Sequence, residues 1–216
     1  MWSDSPTLRF LDSMNYGVVA ILGSGKTFKS GTMYTILNEV PSLKKRNKAF
    51  LKFSGLEYFP PGYGHNVTDY WDVEPGSILI IEDANRLFPS RQSSKAPDLQ
   101  EFIGIISHKD ILIFLTTQNT ANVDMAFFRD QDNLLIHKYM NPLSIAYERE
   151  EITSYCQDAN RMICEKSYEK KVDWHYLSYV PMFSECLILD HPVGFYNWNI
   201  SHSLRDYRPD KKGVCT

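Results

Sequence analysis

The sequence lacks several features that would each have indicated a particular class of protein. It contains no run of about 18 apolar residues, so no transmembrane helix is predicted. Residues 1–6 have neither the basic nor the apolar part of a signal peptide, and we therefore expect an intracellular protein. Its four cysteines form no C-x-x-C pair, which favours reduced thiols over a zinc site or a disulfide framework.

The chain also lacks the excess of positive charge that many DNA-binding proteins carry. It has 23 Lys and Arg against 26 Asp and Glu, for a formal net charge of -3. This balance counts against a strong, static DNA binder. It is compatible with a ring whose DNA contacts are few and confined to a pore. A length of 216 residues, 43% of them hydrophobic, suits one α/β domain with a small appendage.

Apolar runs alternate with helical stretches over the first 140 residues. Strands are predicted at about 16–22, 49–53, 77–83, 110–117 and 133–139. Helices are predicted at about 26–38, 84–88, 98–107 and 124–129, and 54–76 is predicted as a loop with a short helical piece around 67–71. This alternation indicates an α/β fold with a mainly parallel sheet flanked by helices.

The pattern changes after residue 141. A charged helix is predicted over about 144–170. Segments 174–180 and 186–190 could pair as a hairpin, although the first could also be helical. We therefore divide the chain into a core at 1–140 and a C-terminal helix-and-hairpin extension at 141–216 that packs on it.

The segment Gly23-Ser24-Gly25-Lys26-Thr27 lies between a predicted strand and a predicted helix, and it indicates a phosphate-binding loop. Backbone N–H groups of such a loop surround nucleotide phosphates, Lys26 would contact the β- and γ-phosphates, and the Thr27 hydroxyl would ligate Mg²⁺. The following helix adds its positive dipole end. Ala20 occupies the first glycine position of G-x-x-x-x-G-K-[ST], so the match is incomplete. The alternative is a glycine-rich turn with a surface lysine.

Acidic and polar residues end the next two buried strands. Glu82 and Asp83 close the third strand, and the carboxyl ends of parallel strands gather at one edge of a sheet. By position, Glu82 would hold Mg²⁺ through water and Asp83 would polarise the attacking water, although the roles could be exchanged. Gln118, after the fourth strand, could hydrogen-bond both the γ-phosphate and that water. A solvated acidic pair and a turn residue are the alternatives.

These segments together resemble the FtsK–HerA superfamily of DNA-pumping ATPases. The resemblance rests on GSGKT (23–27), ILIIEDANRLFPSR (78–91) and ILIFLTTQN (111–119), and it spans about residues 16–140. Within that superfamily, the short chain is similar to the genome-packaging ATPases of tailless icosahedral viruses with an internal membrane, including archaeal ones. Residues 85–91 are also similar to the Zot-like assembly ATPases of filamentous phages.

The resemblance implies an ATP- and Mg²⁺-dependent motor that translocates double-stranded DNA into a preformed capsid. It implies a homo-oligomeric ring, commonly a hexamer, in the cytoplasm of an infected host cell. There it would dock at the packaging vertex of the virion, with capsid or internal-membrane proteins as partners. The nucleotide would be bound by Gly23, Ser24, Gly25, Lys26, Thr27 and Phe28. An arginine finger would act in trans, with Arg91 favoured, Arg129 second and Arg86 a further candidate.

The residues that contact DNA are harder to identify. The basic run at 44–48 could line a pore and touch phosphates, or it could be a solvated turn. Segments 93–95 and 107–109 are weaker candidates. Three other functions stay open: a Zot-like ATPase that assembles or extrudes virions at a membrane, a nucleotide-switched binding module, and a small-molecule kinase.

Overall fold

A computed structural model of the chain describes residues 4–90, 97–129 and 133–205. The helices are α1 (Pro6–Ser13), α2 (Lys29–Glu39), α3 (Pro41–Lys45), α4 (Ala84–Leu87), α5 (Pro97–Ile105), α6 (Pro142–Ala146), α7 (Glu150–Lys170) and α8 (Trp198–Ser201). The strands are β1 (Gly17–Leu22), β2 (Lys48–Leu51), β3 (His65–Val67), β4 (Ile78–Ile81), β5 (Leu112–Thr117), β6 (Leu134–His137), β7 (Leu177–Val180) and β8 (Glu185–Ile188).

All of these strands belong to one eight-stranded sheet with the order β3-β2-β4-β5-β1-β6-β7-β8. The first six strands of that order are parallel. The last two pair antiparallel, β7 on β6 and β8 on β7. Helices flank the sheet, so the predicted α/β class with a mainly parallel sheet is confirmed.

Alternate side chains of the central strand β1 belong to two different hydrophobic cores. Val19 and Ile21 pack with side chains of α1 and α2 on one face of the sheet. Val18 and Ala20 pack with side chains of α5 on the other face. Because both faces are covered, the strand is apolar at every position rather than at every second one.

The structure differs from the local predictions in three places. Strand β3 lies within the segment predicted as a loop, and the short helical piece expected at 67–71 is a 3₁₀ turn at Tyr70–Asp72. Two of the three β3 side chains are exposed at the sheet edge, so the sequence has no apolar run there. The helix predicted from Lys26 begins only at Lys29, because the backbone of Phe28 is left-handed (φ 66°).

The predicted hairpin is confirmed as β7 and β8, preceded by a 3₁₀ turn at Trp174–Tyr176. The charged helix predicted over 144–170 is interrupted, giving α6 and α7. Strands β7 and β8 belong to the same sheet as the strands of the first 140 residues. The division of the chain into a core and an extension stays a prediction. Within the described ranges, no helix is both long enough and apolar enough to cross a membrane.

The segment after β8 returns across the sheet to cover α2. Leu189, Val193 and Ile200 are buried in the same core as β1 and α2. The Val193 backbone N–H donates to Thr35 Oγ1 at 3.3 Å. This return brings residues 192–202 close to the amino end of α2.

Candidate nucleotide-binding site

Three adjacent strands in the middle of the sheet end beside one another. The register pairs Leu22 of β1 with Thr117 of β5, and Leu115 of β5 with Ile81 of β4. The residues that follow these strands therefore meet at one edge of the sheet, where ligands bind in open α/β folds. They are the loop at 23–28, the acidic pair at 82–83, and Gln118.

The loop after β1 is fixed at its beginning by neighbouring backbone. Gly23 N–H donates to the Thr117 carbonyl at 3.3 Å, and Ser24 N–H donates to the Tyr139 carbonyl at 3.1 Å. A Cβ on Gly23 would lie 2.5 Å from the Cβ of Lys138, so this position requires glycine. The Ser24 hydroxyl accepts from the Asn141 N–H at 2.8 Å. Ser24 thus anchors the loop to the segment after β6.

Lys26 and Thr27 lie at the turn of the loop. Lys26 is exposed, with a left-handed backbone (φ 62°). Thr27 is buried, and its hydroxyl donates to the Ser24 carbonyl at 2.8 Å. The Phe28 ring packs edge-on against Tyr176 and Tyr196, with centroid separations of 5.5 and 5.3 Å. The roles predicted for these loop residues stay predictions.

Two residues that the sequence analysis did not single out open α2. Lys29 is only 8% exposed, and its Nζ donates to the Ser24 carbonyl at 2.8 Å. Burial lowers the pKa of Lys29, while Asp83 and Glu82 nearby act to raise it. The Ser30 hydroxyl donates to Glu82 Oε2 at 2.9 Å. The first turn of α2 therefore faces the acidic end of β4.

Glu82 is a buried carboxylate surrounded by hydroxyl donors. It is 6% exposed and accepts from Tyr34 at 2.6 Å, Thr116 at 2.8 Å and Ser30 at 2.9 Å. Burial raises its pKa above the ordinary value, the charge of Asp83 adds to the rise, and the three hydrogen bonds oppose it. Such a carboxylate is held in one orientation and is favourably ionised once a cation lies beside it.

Asp83 and Gln118 face the open side of the site. Asp83 has a left-handed backbone (φ 50°) at the start of α4, and its N–H donates to Thr116 Oγ1 at 3.0 Å. Backbone strain of this kind concentrates at functional sites. A Cβ built on Gly25 would lie 4.0 Å from Gln118 Oε1, so the loop and this amide face each other across a narrow gap.

These groups line a cavity of about 810 Å³, a volume that suits a nucleotide-sized ligand. One wall is formed by residues 25–30, Asp83 and Gln118. The facing wall comes from the C-terminal part of the chain and includes Tyr176, Tyr196, Trp198 and His202. Trp198 is 60% exposed, and its ring stacks on that of His202 at a centroid separation of 4.2 Å.

The fold matches solved structures, although the sequence matches no family profile and no protein of curated function. B204, the DNA-packaging ATPase from Sulfolobus turreted icosahedral virus, superposes with a TM-score of 0.54 at 20% identity, over 83% of this chain and 100% of its own. B204 from Sulfolobus turreted icosahedral virus 2, in complex with ATP-gammaS, gives 0.52 at 18% identity, over 84% and 99%. The chain therefore has the fold of these P-loop NTPases. The N-terminal domain of zonular occludens toxin from Neisseria meningitidis gives 0.43 and is too distant to bear on function.

In this P-loop fold, the candidate arginine fingers lie away from the cavity or outside the described residues. Arg91 falls outside them, as do residues 93–95. Arg129 is exposed after the 3₁₀ turn at Met125–Phe128, and Arg86 lies on α4 with its Nη2 3.4 Å from the Lys52 carbonyl. Neither Arg86 nor Arg129 lines the cavity. Their assignment as fingers stays a prediction.

The basic run at 44–48 divides into two pairs. Lys44 and Lys45 are exposed at the end of α3. Arg46 and Lys48 instead donate to backbone carbonyls: Lys48 Nζ contacts those of residues 43, 44 and 46 at 3.0 to 3.3 Å. Burial lowers the pKa of Lys48 to about 8. Within this run, the prediction of DNA contacts therefore narrows to Lys44 and Lys45, and the candidates at 93–95 and 107–109 stay predictions.

Proposed function

We propose that the protein is an ATP-hydrolysing motor that translocates double-stranded DNA and packages a viral genome into a preformed capsid. One observation carries the proposal: a phosphate loop, an acidic pair and a polar amide follow three adjacent strands, and the loop, Asp83 and Gln118 line one cavity. The structural similarity to B204 of Sulfolobus turreted icosahedral virus, a DNA-packaging ATPase, supports the choice of task. The similarity to B204 of virus 2, a genome packaging NTPase solved with AMP and with ATP-gammaS, supports the choice of nucleotide.

The donor set of this site fits a magnesium nucleotide. The Glu82 carboxylate lies within hydrogen-bond distance of a hydroxyl at the start of α2, and carboxylate and hydroxyl oxygens are the ligands that Mg²⁺ prefers. Bound there, Mg²⁺ would neutralise charge on the β- and γ-phosphates. The N–H groups of residues 25–28 and the amino end of α2 would hold the phosphates.

The surroundings of the two acids support distinct roles for them. Glu82 is buried and hydrogen-bonded by three hydroxyls, which suits a fixed ligand of the metal, directly or through water. Asp83 lines the cavity, as does Gln118, and both could orient the attacking water. Hydrolysis would then depend on the placement of water and charge, with an arginine of a neighbouring subunit, Arg91 or Arg129, completing the site.

The proposed assembly is a homo-oligomeric ring of this chain, commonly a hexamer in the family it resembles, with double-stranded DNA in its pore. It would act in the cytoplasm of the infected cell and dock on capsid or internal-membrane proteins. The exposed pair Lys44 and Lys45 supplies two cations that could contact DNA phosphates.

Steady-state ATP hydrolysis, measured with and without double-stranded DNA, tests this function. We expect Mg²⁺-dependent hydrolysis that rises when DNA is added. Asp83→Asn serves as the control, because it should retain ATP binding within about threefold while turnover falls about a hundredfold, or about 2.7 kcal/mol of activation free energy. Hydrolysis indifferent to DNA would contradict the motor and favour a nucleotide switch. Retained turnover in Asp83→Asn together with loss in Glu82→Gln would exchange the two roles.

A further inference from the structure

We propose that Lys29 and Ser30, the first two residues of α2, contact the β- and γ-phosphates and Mg²⁺ in this protein, in place of Lys26 and Thr27. The proposal rests on the nucleotide-binding function above and specifies which residues perform it. It follows from the end of β1, from the start of α2, and from the hydrogen-bond partners and burial of these four side chains.

The end of β1 fixes how the phosphate-loop pattern fits the chain. In G-x-x-x-x-G-K-[ST] the first glycine follows the strand, four residues form the loop, and the lysine and hydroxyl residue open the helix. Counted from Gly23, which directly follows β1, the lysine position is Lys29 and the hydroxyl position is Ser30. These two residues begin α2. Only the second glycine of the pattern is replaced, by Phe28.

The alternative count, which makes Lys26 the lysine, starts at Ala20. It requires Ile21 and Leu22 to be loop residues whose N–H groups surround phosphate. Both residues are instead inside β1, which is paired with β5 on one side and with β6 on the other. Their backbone groups belong to these strand pairings and are not free to bind a phosphate.

The position of Phe28 fits the replaced glycine. Its φ of 66° lies in the left-handed region that favours glycine. The backbone of Phe28 therefore has the conformation expected of the glycine, although the side chain is larger. The ring is accommodated by the next glycine along the helix, since a Cβ on Gly31 would lie 2.3 Å from the Phe28 ring. Phe28 and Gly31 thus form a matched pair at the mouth of the loop.

The two lysines differ in what surrounds them. Both line the cavity, but Lys29 is almost wholly buried at the base of the loop and has Asp83 and Glu82 near it. Its bond to the Ser24 carbonyl uses one of three ammonium hydrogens and leaves two for phosphate oxygens. Lys26 lies at the exposed tip of the turn. A cation at the base of the loop is in position to meet the phosphates that the loop encloses.

The two hydroxyl groups differ in the same way. Ser30 Oγ is 2.9 Å from Glu82 Oε2, and a loop hydroxyl beside the acid of the neighbouring strand is the pair that shares Mg²⁺ in P-loop enzymes. Thr27 Oγ1 donates within its own loop, to the Ser24 carbonyl at 2.8 Å. Ser30 therefore has the partner that metal binding requires.

Matched substitutions at the two lysines test the assignment. Methionine retains most of the buried stem of lysine and removes its charge. We expect Lys29→Met to weaken binding of a fluorescent ATP analogue at least tenfold in Mg²⁺ and to lower hydrolysis at least a hundredfold. Lys26→Met should change both by less than threefold. The melting temperature of each nucleotide-free variant shows whether it is folded.

Ser30→Ala and Thr27→Ala provide a second pair that does not depend on how well Lys29→Met folds. We expect Ser30→Ala to abolish the gain in ATP affinity that Mg²⁺ gives the wild-type protein, and Thr27→Ala to preserve it. The opposite result in either pair, or equal losses within a pair, would overturn the assignment while leaving the nucleotide-binding function intact. A wild-type protein that binds no nucleotide would instead refute the proposed function, and the assignment with it.

Discussion

At the scale of single residues, Glu82 shows the conflict between stability and function most clearly. Its carboxylate is buried beneath three hydroxyl donors, and burial raises its pKa above the ordinary value of 4.5. The protonated form is therefore favoured by folding. The stability that this group contributes is fully present below its ordinary pKa and is lost as the pH rises through the raised value.

Glu82→Gln is accordingly expected to stabilise the nucleotide-free protein while abolishing hydrolysis. Glutamine has the shape of the protonated acid and carries no buried charge, so the variant should melt a few degrees higher at pH 8. In a chain of this length, about 1 kcal/mol of stability corresponds to about 2–4 °C in melting temperature. The difference should shrink at pH 5. Thermal melts of both proteins at the two pH values measure it, and a variant that is less stable at pH 8 would refute this explanation.

The residue scale also shows what the sequence could and could not predict of the site. The carboxyl ends of the apolar runs located Glu82, Asp83 and Gln118 at one edge of the sheet, and the structure brings all three there. The short match at 23–27 predicts Lys26 as the phosphate-binding lysine, whereas we propose Lys29 for that role. The end of the apolar run at Leu22 carried the decisive information, because it marks where a loop can start. Without the end of the preceding strand, the short motif does not show at which residue the phosphate-loop pattern begins.

At the scale of elements, long buried strands were predictable and edge elements were not. β1, β4 and β5 are buried on both faces and were predicted from their runs of apolar residues. β3 was missed because an edge strand of three residues, two of them exposed, has no periodic pattern. The start of α2 was misplaced because the left-handed backbone of Phe28 depends on tertiary packing, which the local sequence does not reveal.

Arg46, which directly follows α3, is predicted to stabilise the sheet rather than to bind DNA. The Arg46 guanidinium donates to the carbonyls of Gly76 at 2.8 Å, Asn15 at 2.9 Å and Ser77 at 3.2 Å, and also to that of Asp110. These residues precede β1, β4 and β5, so one side chain joins the amino ends of three central strands. That edge of the sheet is opposite to the nucleotide cavity.

Arg46→Ala should therefore lower the free energy of unfolding by about 1–3 kcal/mol, because carbonyl groups lose their donors. Lys45→Ala, one position earlier and exposed, is the matched control and should change stability by less than about 0.5 kcal/mol. Urea unfolding measures both. If Arg46→Ala left stability unchanged and weakened DNA binding instead, the side chain would belong to a DNA-contacting surface.

At the scale of the whole molecule, the proposed ring makes each active site depend on two subunits. Arg91→Ala and Arg129→Ala should each retain ATP binding, and the variant that removes the finger should lose turnover about a hundredfold or more. Mixing that variant with Asp83→Asn should restore part of the activity, because some interfaces then pair an intact arginine with an intact acid. ATPase activity across mixing ratios measures this. Activity that never exceeds the sum of the separate variants would contradict a finger supplied by a neighbour.

The nucleotide cavity also depends on distant parts of a single chain. Its inner wall is formed within the first 120 residues, and its outer wall by the residues just before β7 together with the segment that returns over α2 after β8. Trp198 and His202 stack on that outer wall, with the indole largely exposed. An exposed, stacked aromatic face beside a phosphate loop is suited to receive the base of the nucleotide, since base–aromatic stacking contributes about 1–3 kcal/mol per base.

Trp198→Ala is therefore expected to weaken ATP affinity at least fivefold, while Trp198→Phe, which keeps an aromatic face, should lose less. Stability should change little in both variants, because the side chain is 60% exposed. Competition of ATP and of inorganic triphosphate against a labelled nucleotide separates the contributions of base and phosphate: the alanine variant should lose affinity for ATP and keep its affinity for triphosphate. An equal loss for both ligands would mean that Trp198 supports the loop rather than the base. Unchanged affinity for both would show that the C-terminal wall takes no part in binding.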